Sequence, residues 1–421
     1  MPSTIIRSVR AIDARYVLKP GEGTDAIHNT EMYGYAAALL ETDPVAAGGS
    51  GLSGTGLAFT MGGGNELITP AIEHLGQQLV GHEIEELMAG FGGVFKMLAD
   101  DPQYRWVGPH KGVIHLALAA VVNACWDLWA KARGVPLWKL IVDLSPEALL
   151  ATMDLSYLED VLTAEEALAL LRAEQPGRAE RVGVVERGYP GYDTSVGWFN
   201  FSDAEVRERA KVALGEGFGA LKLKVGGPDG DRDVRRFTML RELVGPDVRL
   251  MVDANQQWSL PRALEIGERL RPLDPFWIEE PTHPDDIEAH RVLARALAPI
   301  HIAAGEMVPH RVLFKNLLQA DALGIIQVDV TRVGGVSEFL AVALLARRFG
   351  KPVVPHVGDM GQIHQHLVLA DRIALGLPEL FLEYIPHLRP YFVDPAVVRD
   401  GRYVTPQRPG SSSDLAATSV G

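Results

Sequence analysis

The second half of the chain repeats one unit, and that repeat limits the fold more than any other feature. From about residue 200 onward, short apolar runs alternate with helix-like or turn-bearing segments: "ALKLKV", "VRLMVDAN", "FWIEEP", "IHIAAGE", "GIIQVDV", "KPVVPHV" and "LFLEYIP". Seven such runs separated by helices describe parallel strands in βα units. An earlier run, "LLATMDLS" near residue 152, can supply an eighth. Eight units close into a (β/α)8 barrel, which suits this order of elements better than an open sheet.

Each run ends in a titratable side chain: Lys224, Asp253, Glu279, Glu306, Asp329, His356 and Glu383. The steps between them are 29, 26, 27, 23, 27 and 27 residues, one βα unit each. The seven are therefore expected at equivalent heights on successive strands, where the C-terminal strand ends of a barrel ring one site. Any single member is compatible with a structural role. A set this regular is not explained by a solvated edge strand.

Lys222 and Lys224 share one face of the first run, because side chains alternate along a strand. Like charges on one face repel and are costly to desolvate, so alone the pair reads as a solvated edge. Within the ring it points into the barrel mouth instead.

The ring sorts by chemistry. Asp253, Glu279 and Glu306 come from three consecutive strands, and three crowded carboxylates repel unless a cation neutralises them. An all-oxygen set without thiolate points to Mg²⁺ rather than zinc; the alternative is a hydrogen-bonded salt-bridge cluster. Asn255 shares a strand face with Asp253, and Glu280 lies on the face opposite Glu279; neither is expected as a direct ligand. Asp329 and His356, on adjacent strands, suit a dyad in which the carboxylate fixes the imidazole tautomer. A lysine acting as base must sit about three pH units below its ordinary value near 10.4, a cost of roughly 4 kcal/mol. Lys222 and a divalent metal would both lower Lys224. A base of that strength suits abstraction of a proton α to a carboxylate, with the metal stabilising the charge that develops. His356 can then deliver or remove a proton.

The 421-residue length suggests two domains, or one barrel with additions. Ahead of the barrel come strand-like runs over residues 4–18 and 35–41, a glycine-rich loop "GGSGLSGTGLAFTMGGGNE", and helical patterns over 69–134. "GSGLSGTG" has GxGxxG-like spacing but no following βα unit with a suitably placed acid. Those glycines are read as shaping a loop that approaches something closely. A net charge of −14 without a basic stretch argues against nucleic acid. The single cysteine, Cys125, lies in an apolar helix pattern and reads as a core thiol, and a reducing compartment is expected. Arg7, Arg10, Asp13 and Arg15 break any signal-peptide core, and the apolar stretch over 113–126 falls short of a membrane span. A soluble, cytoplasmic protein without membrane partners is expected.

"KLK", "VDAN", "WIEEP", "GE", "QVD" and "PHVG", in this order over about residues 4–410, resemble the enolase superfamily and its mandelate racemase-like subgroup. The resemblance implies an α+β capping domain over 1–150 with a substrate-specificity loop, and a modified TIM barrel over 151–395. It further implies a segment over 396–410 packing back on the cap; the polar 411–421 tail is expected to be disordered. It matches Lys224 to the base, Asp253, Glu279 and Glu306 to the Mg²⁺ ligands, and Asp329 with His356 to the dyad. Glu383 matches a position that hydrogen-bonds the substrate carboxylate, a role Lys222 is expected to share.

Within the subgroup, "GTDAIHN", "GLAFTMGGGNE", "RWVGPHKGVIH", "YPGYDTSVGW", "DANQQW" and "RVLFKNLLQADA" look most like the L-fuconate dehydratases. These turn a six-carbon sugar acid into a 2-keto-3-deoxy acid, with His356 by resemblance the acid that assists the departing hydroxyl. Thr24, Asp25, His28, Trp198 and Asn255 become candidate substrate contacts, and a homo-oligomer is implied. The stretch "GDMGQIHQHLVLAD" departs from that pattern by carrying His364 and His366, either pocket-lining or on a helix surface. Racemisation or epimerisation on the same groups, and a non-catalytic sugar-acid binder, are the competing readings.

Overall fold

The computed structural model describes residues 4–43, 51–357 and 361–416. At the N-terminus β1 (Ile6–Val17), β2 (Met32–Thr42) and β3 (Ser53–Thr60) form an antiparallel sheet in that order. It packs on α1 (Asn65–Gln77) and α2 (Gly112–Ala132).

β3 corrects the sequence reading, which took this segment for a loop; residues 48–50 of it lie outside the described residues. A Cβ on Gly56 would stand 1.9 Å from the Ala120 carbonyl oxygen, and one on Gly54 2.3 Å from that of Ala124. The glycines do bring the backbone close to something, but from a strand lying directly on α2.

α2 joins the sheet to the barrel. Its apolar content and 21 residues would suffice to cross a membrane, but 83% of the apolar window is buried inside the protein. The stretch over 113–126, expected to fall short of a membrane span, is part of this longer helix, and its polar His115 and Asn123 are accommodated because their polar atoms find partners across it. His115 Nε2 lies 3.1 Å from the Val333 carbonyl oxygen. The Asn123 amide donates to Leu57 O at 3.2 Å on the sheet side and to Val330 O at 3.1 Å on the barrel side. Cys125 is buried in the same helix.

The barrel runs through β4 (Tyr189–Gly197), β5 (Ala220–Lys224), β6 (Arg249–Asp253), β7 (Trp277–Glu279), β8 (His301–Ala304) and β9 (Ile325–Ile326). A parallel bridge from Ile326 to Val353 follows, and β10 (Leu382–Tyr384) pairs parallel with β4 on its other side. The strand expected near residue 152 is absent: "LLATMDLS" begins at the end of a short helix, Pro146–Leu150, and continues as turns. β4 takes its place.

The strand ends form two tiers rather than one level. Lys224, Asp253 and Glu279 are in register across β5, β6 and β7. Glu279 next faces Ala303, so Glu306 lies three residues further along, beyond the end of β8. Asp329 and His356 stand the same distance beyond the bridged residues Ile326 and Val353. Strand stagger in a closed barrel produces such an offset.

The C-terminal segments pack against both the barrel and the first 150 residues. β11 (Val398–Arg399) pairs with β12 (Arg402–Tyr403), and β12 pairs with the barrel strand β4, while Pro406 O accepts from the Trp138 indole and Gly410 O from the Leu137 N–H, both at 2.9 Å. Residues 411–416, expected to be disordered, pack on α2. Ser411 donates its N–H at 2.6 Å and its hydroxyl at 2.8 Å to Asp127 Oδ1, and Asp414 accepts from Lys131 at 2.8 Å. Ser411 and Ser413 are fully buried.

Candidate active site

The lysine pair separates into two environments. Lys222 is fully buried, with Nζ 2.6 Å from Glu279 Oε1 and 2.8 Å from Glu383 Oε1. Burial favours its neutral form, but Glu279, Glu383 and Asp253 outweigh that and hold it well above the ordinary lysine value. Enclosed and doubly paired, Lys222 does not line the cavity that Lys224 faces. Lys224 faces the cavity and is bonded to Asp253. Burial and the Lys222 ammonium lower it, as the sequence suggested. Asp253, Asp25 and Glu306 outweigh them, so the protein groups alone hold Lys224 above its ordinary value.

Asp253, Glu279 and Glu306 converge: one carboxylate oxygen from each lies within 4.8 Å of the others. Asp253 Oδ1 is fixed by the Asn255 N–H at 2.9 Å. Glu279 Oε2 accepts from Gln327 Nε2 at 2.7 Å and from the Trp277 indole at 3.0 Å. Gln327 sits on the "QVD" strand, two residues before Asp329 and on the same face, so period-two reading could have found it. Burial, Asp253 and Glu383 push Glu279 upward against the pull of Lys222. The three converging carboxylates form an oxygen-only, thiolate-free set, and these residues fit a Mg²⁺ ion. Glu280 turns back at a φ of 41°, close enough to Glu306 and Asp253 that they add to burial in raising it.

The dyad is formed. His356 Nδ1 lies 2.8 Å from Asp329 Oδ2, and its Nε2 lies 3.2 Å from Glu306 Oε2. Burial alone would lower His356, but Glu306 and Asp329 lift it to about 9. Asp329 lies well below the usual carboxylate range, since His364 and His356 together overcome the effect of burial. His364 is thus neither pocket-lining nor on a helix surface: its Nε2 is 2.8 Å from Asp329 Oδ1. His366 is equally buried, its Nδ1 accepting the Trp138 N–H at 3.1 Å.

Lys224, Asn255, Glu306, His356 and Glu383 line one cavity of about 330 Å³ together with Asp25, His28 and Trp198. Asn255 reaches it from a left-handed turn at φ 43° just past β6. Asp25 Oδ2 holds His28 Nδ1 at 2.8 Å, which raises His28. Trp198 donates its indole N–H to His387 at 2.9 Å and so offers the cavity its ring. Glu383 accepts from Lys222 and, at 3.0 Å, from the Val357 N–H. Burial opposes ionisation there, yet Lys222 and His356 hold Glu383 down at about 2. Thr24 is fully buried, bonded to Gly21 O at 2.8 Å, and does not line this cavity. Arg332, which sequence reasoning missed, lines the cavity and donates Nε–H to Glu306 O at 2.8 Å.

Residues 45–142 match the mandelate racemase / muconate lactonizing enzyme N-terminal domain, and residues 205–419 match the enolase C-terminal domain-like family. The chain is a member of the enolase superfamily, in its mandelate racemase-like subgroup. It is 40% identical over 429 residues to the L-galactonate dehydratase of Hypocrea jecorina, covering 100% of this chain and 94% of that protein. The crystal structure of human mitochondrial enolase superfamily member 1 matches with a TM-score of 0.95 at 40% identity, over 100% of this chain and 96% of the other. L-talarate/galactarate dehydratase from Salmonella typhimurium LT2, solved with Mg and L-lyxarohydroxamate, matches with a TM-score of 0.77 at 26% identity, covering 98% and 91%.

Proposed function

We propose that this protein is a Mg²⁺-dependent sugar acid dehydratase, acting as a base on the carbon next to a carboxylate and as an acid on the neighbouring hydroxyl. The observation that carries this reading is that Lys224 and the Asp329-held His356 line one cavity with Glu306. The sugar acid dehydratases among the relatives support it.

Asp253, Glu279 and Glu306 would hold the Mg²⁺, which supplies stabilisation of the negative charge developing on the substrate carboxylate. Lys224 Nζ takes the α proton. Burial and Lys222 both favour its neutral form, and only the carboxylates, Asp253 foremost, oppose them. His356, raised to about 9, carries a proton at neutral pH and delivers it from Nε2 to the departing hydroxyl. The carbon–oxygen bond breaks, water leaves, and the enol left behind tautomerises to a 2-keto-3-deoxy acid. Asp25, His28, Asn255, Trp198 and Glu383 orient the substrate.

The finer reading is a six-carbon aldonic acid. L-Fuconate is L-galactonate without its terminal hydroxyl, and the apolar Ile27, Met61 and Met307 on the same cavity wall suit a methyl-bearing end.

An acid-sugar library, assayed with Mg²⁺ for 2-keto acid, tests both levels. Turnover of L-fuconate or L-galactonate is expected. Epimerised product without keto acid would replace dehydration with 1,1-proton transfer between Lys224 and His356. Binding without any turnover would make the protein a non-catalytic binder.

A further inference from the structure

The proposed reaction uses neither of the next two histidines after His356, His364 and His366. Both lie at the start of one helix, Ile363–Ala374. Two residues apart on a helix means about 200° of rotation, so they face opposite ways. His366 turns to the backbone of Trp138. His364 turns to the dyad.

Asp329 therefore carries two imidazoles. A carboxylate has no hydrogen to donate, so each ring presents an N–H to it: His356 from Nδ1 to Oδ2, His364 from Nε2 to Oδ1, both at 2.8 Å. Oδ1 also accepts the Thr331 N–H at 2.8 Å and the Thr331 hydroxyl at 2.7 Å. Among the described residues, His364 Nδ1 is buried without a hydrogen-bond partner. An apolar side chain of similar size would fill this space without leaving a buried nitrogen unmet. The bond to Asp329 is the polar contact that distinguishes histidine here.

We propose that His364 is a positioning residue for the reaction: it locks the Asp329 carboxylate so that Oδ2 stays on His356 and His356 Nε2 stays aimed at the cavity. Asp329 cannot rotate away from His356 without also breaking three bonds on Oδ1. The kinetic part of this inference rests on the dehydratase reading; the structural part does not.

The test compares Mg²⁺-loaded wild type with His364→Leu, which removes the donor, and His364→Gln, whose amide can donate from near the Nε2 position. In ¹⁵N-histidine NMR, the His356 Nδ1–H resonance should shift or broaden in the leucine variant and return in the glutamine variant. With a substrate, elimination should fall about ten- to a hundredfold, in the range seen for loss of an outer partner that orients a histidine. KM should stay within about twofold, Lys224-driven exchange of the α proton with deuterium should persist, and glutamine should restore most of the rate. A wild-type Nδ1–H signal and wild-type elimination in His364→Leu would overturn the proposal, as would equal losses of exchange and elimination with an unchanged signal. If the leucine variant does not fold, His364→Asn, too short to reach Asp329, takes its place against glutamine with the same outcomes. Absence of turnover by wild type would sink the dehydratase reading, while the NMR comparison would still decide the role of His364.

Discussion

Lys222 Nζ lies 2.8 Å from Glu383 Oε1, a bond between two strands that flank β4 on either side. With its second bond to Glu279 at 2.6 Å, Lys222 ties together three strands around a fully buried charge. Lys222→Met would leave two buried carboxylates uncompensated, and breaking one side of such a pair costs about 3–5 kcal/mol. Urea unfolding is expected to show a loss of that size; a change below about 1 kcal/mol would mean the carboxylates find other partners.

Mg²⁺ binding should stabilise the folded protein by mass action, about 2.7 kcal/mol at a concentration one hundred times its Kd. The Tm should rise with added Mg²⁺, and a chelator should reverse the rise and abolish turnover. Asp253→Ala should show neither response, because it removes one of the three converging oxygens.

Gly56→Ala should destabilise by about 1–3 kcal/mol or more, the usual cost of overpacking, since its Cβ would meet the α2 backbone at 1.9 Å. Gly63→Ala, with nothing within 4 Å, is the control and should stay within about 0.5 kcal/mol. Equal effects of the two substitutions would mean that the strand–helix approach is not tight.

Acid should weaken the fold partly through His115. Its burial, with His310 and His110 nearby, lowers it from 6.5 to about 3. Between those values the unfolded chain binds a proton that the native state does not, so stability rises with pH there. His115 thus contributes fully above about pH 6.5, and up to about 5 kcal/mol is lost as pH falls toward 3. His115→Gln should flatten that part of a stability–pH curve measured by urea midpoint; an unchanged slope would exclude His115.

Removing residues 411–421 takes from Asp127 Oδ1 both of its Ser411 donors, and from Lys131 its Asp414 partner. At about 1 kcal/mol per hydrogen bond, and more for charged ones, a loss of about 2–5 kcal/mol is expected. Thermal unfolding of the shortened chain measures it.

The functional ring was legible because a barrel writes one strand end about every 27 residues, and strand ends are where chemistry gathers. The two-tier offset was not legible, because stagger depends on pairing that spacing alone does not report. β4 escaped because "YPGYDTSVG" looks like turn chemistry, with two glycines and a proline, while "LLATMDLS" is apolar enough to imitate a strand. β3 escaped for a related reason: its glycines serve a helix that lies far along the chain. His364 was visible as an extra histidine, but its partner is 35 residues earlier, and only the fold brings Asp329 between the two rings.

The bond from Ser411 to Asp127 spans 284 positions. The N-terminal sheet and its long helix leave the ribosome before the barrel does, yet the buried carboxylate on that helix receives these donors only after the whole barrel has been synthesised. The cap's buried carboxylate is therefore satisfied only once the segment that follows the barrel has also been made.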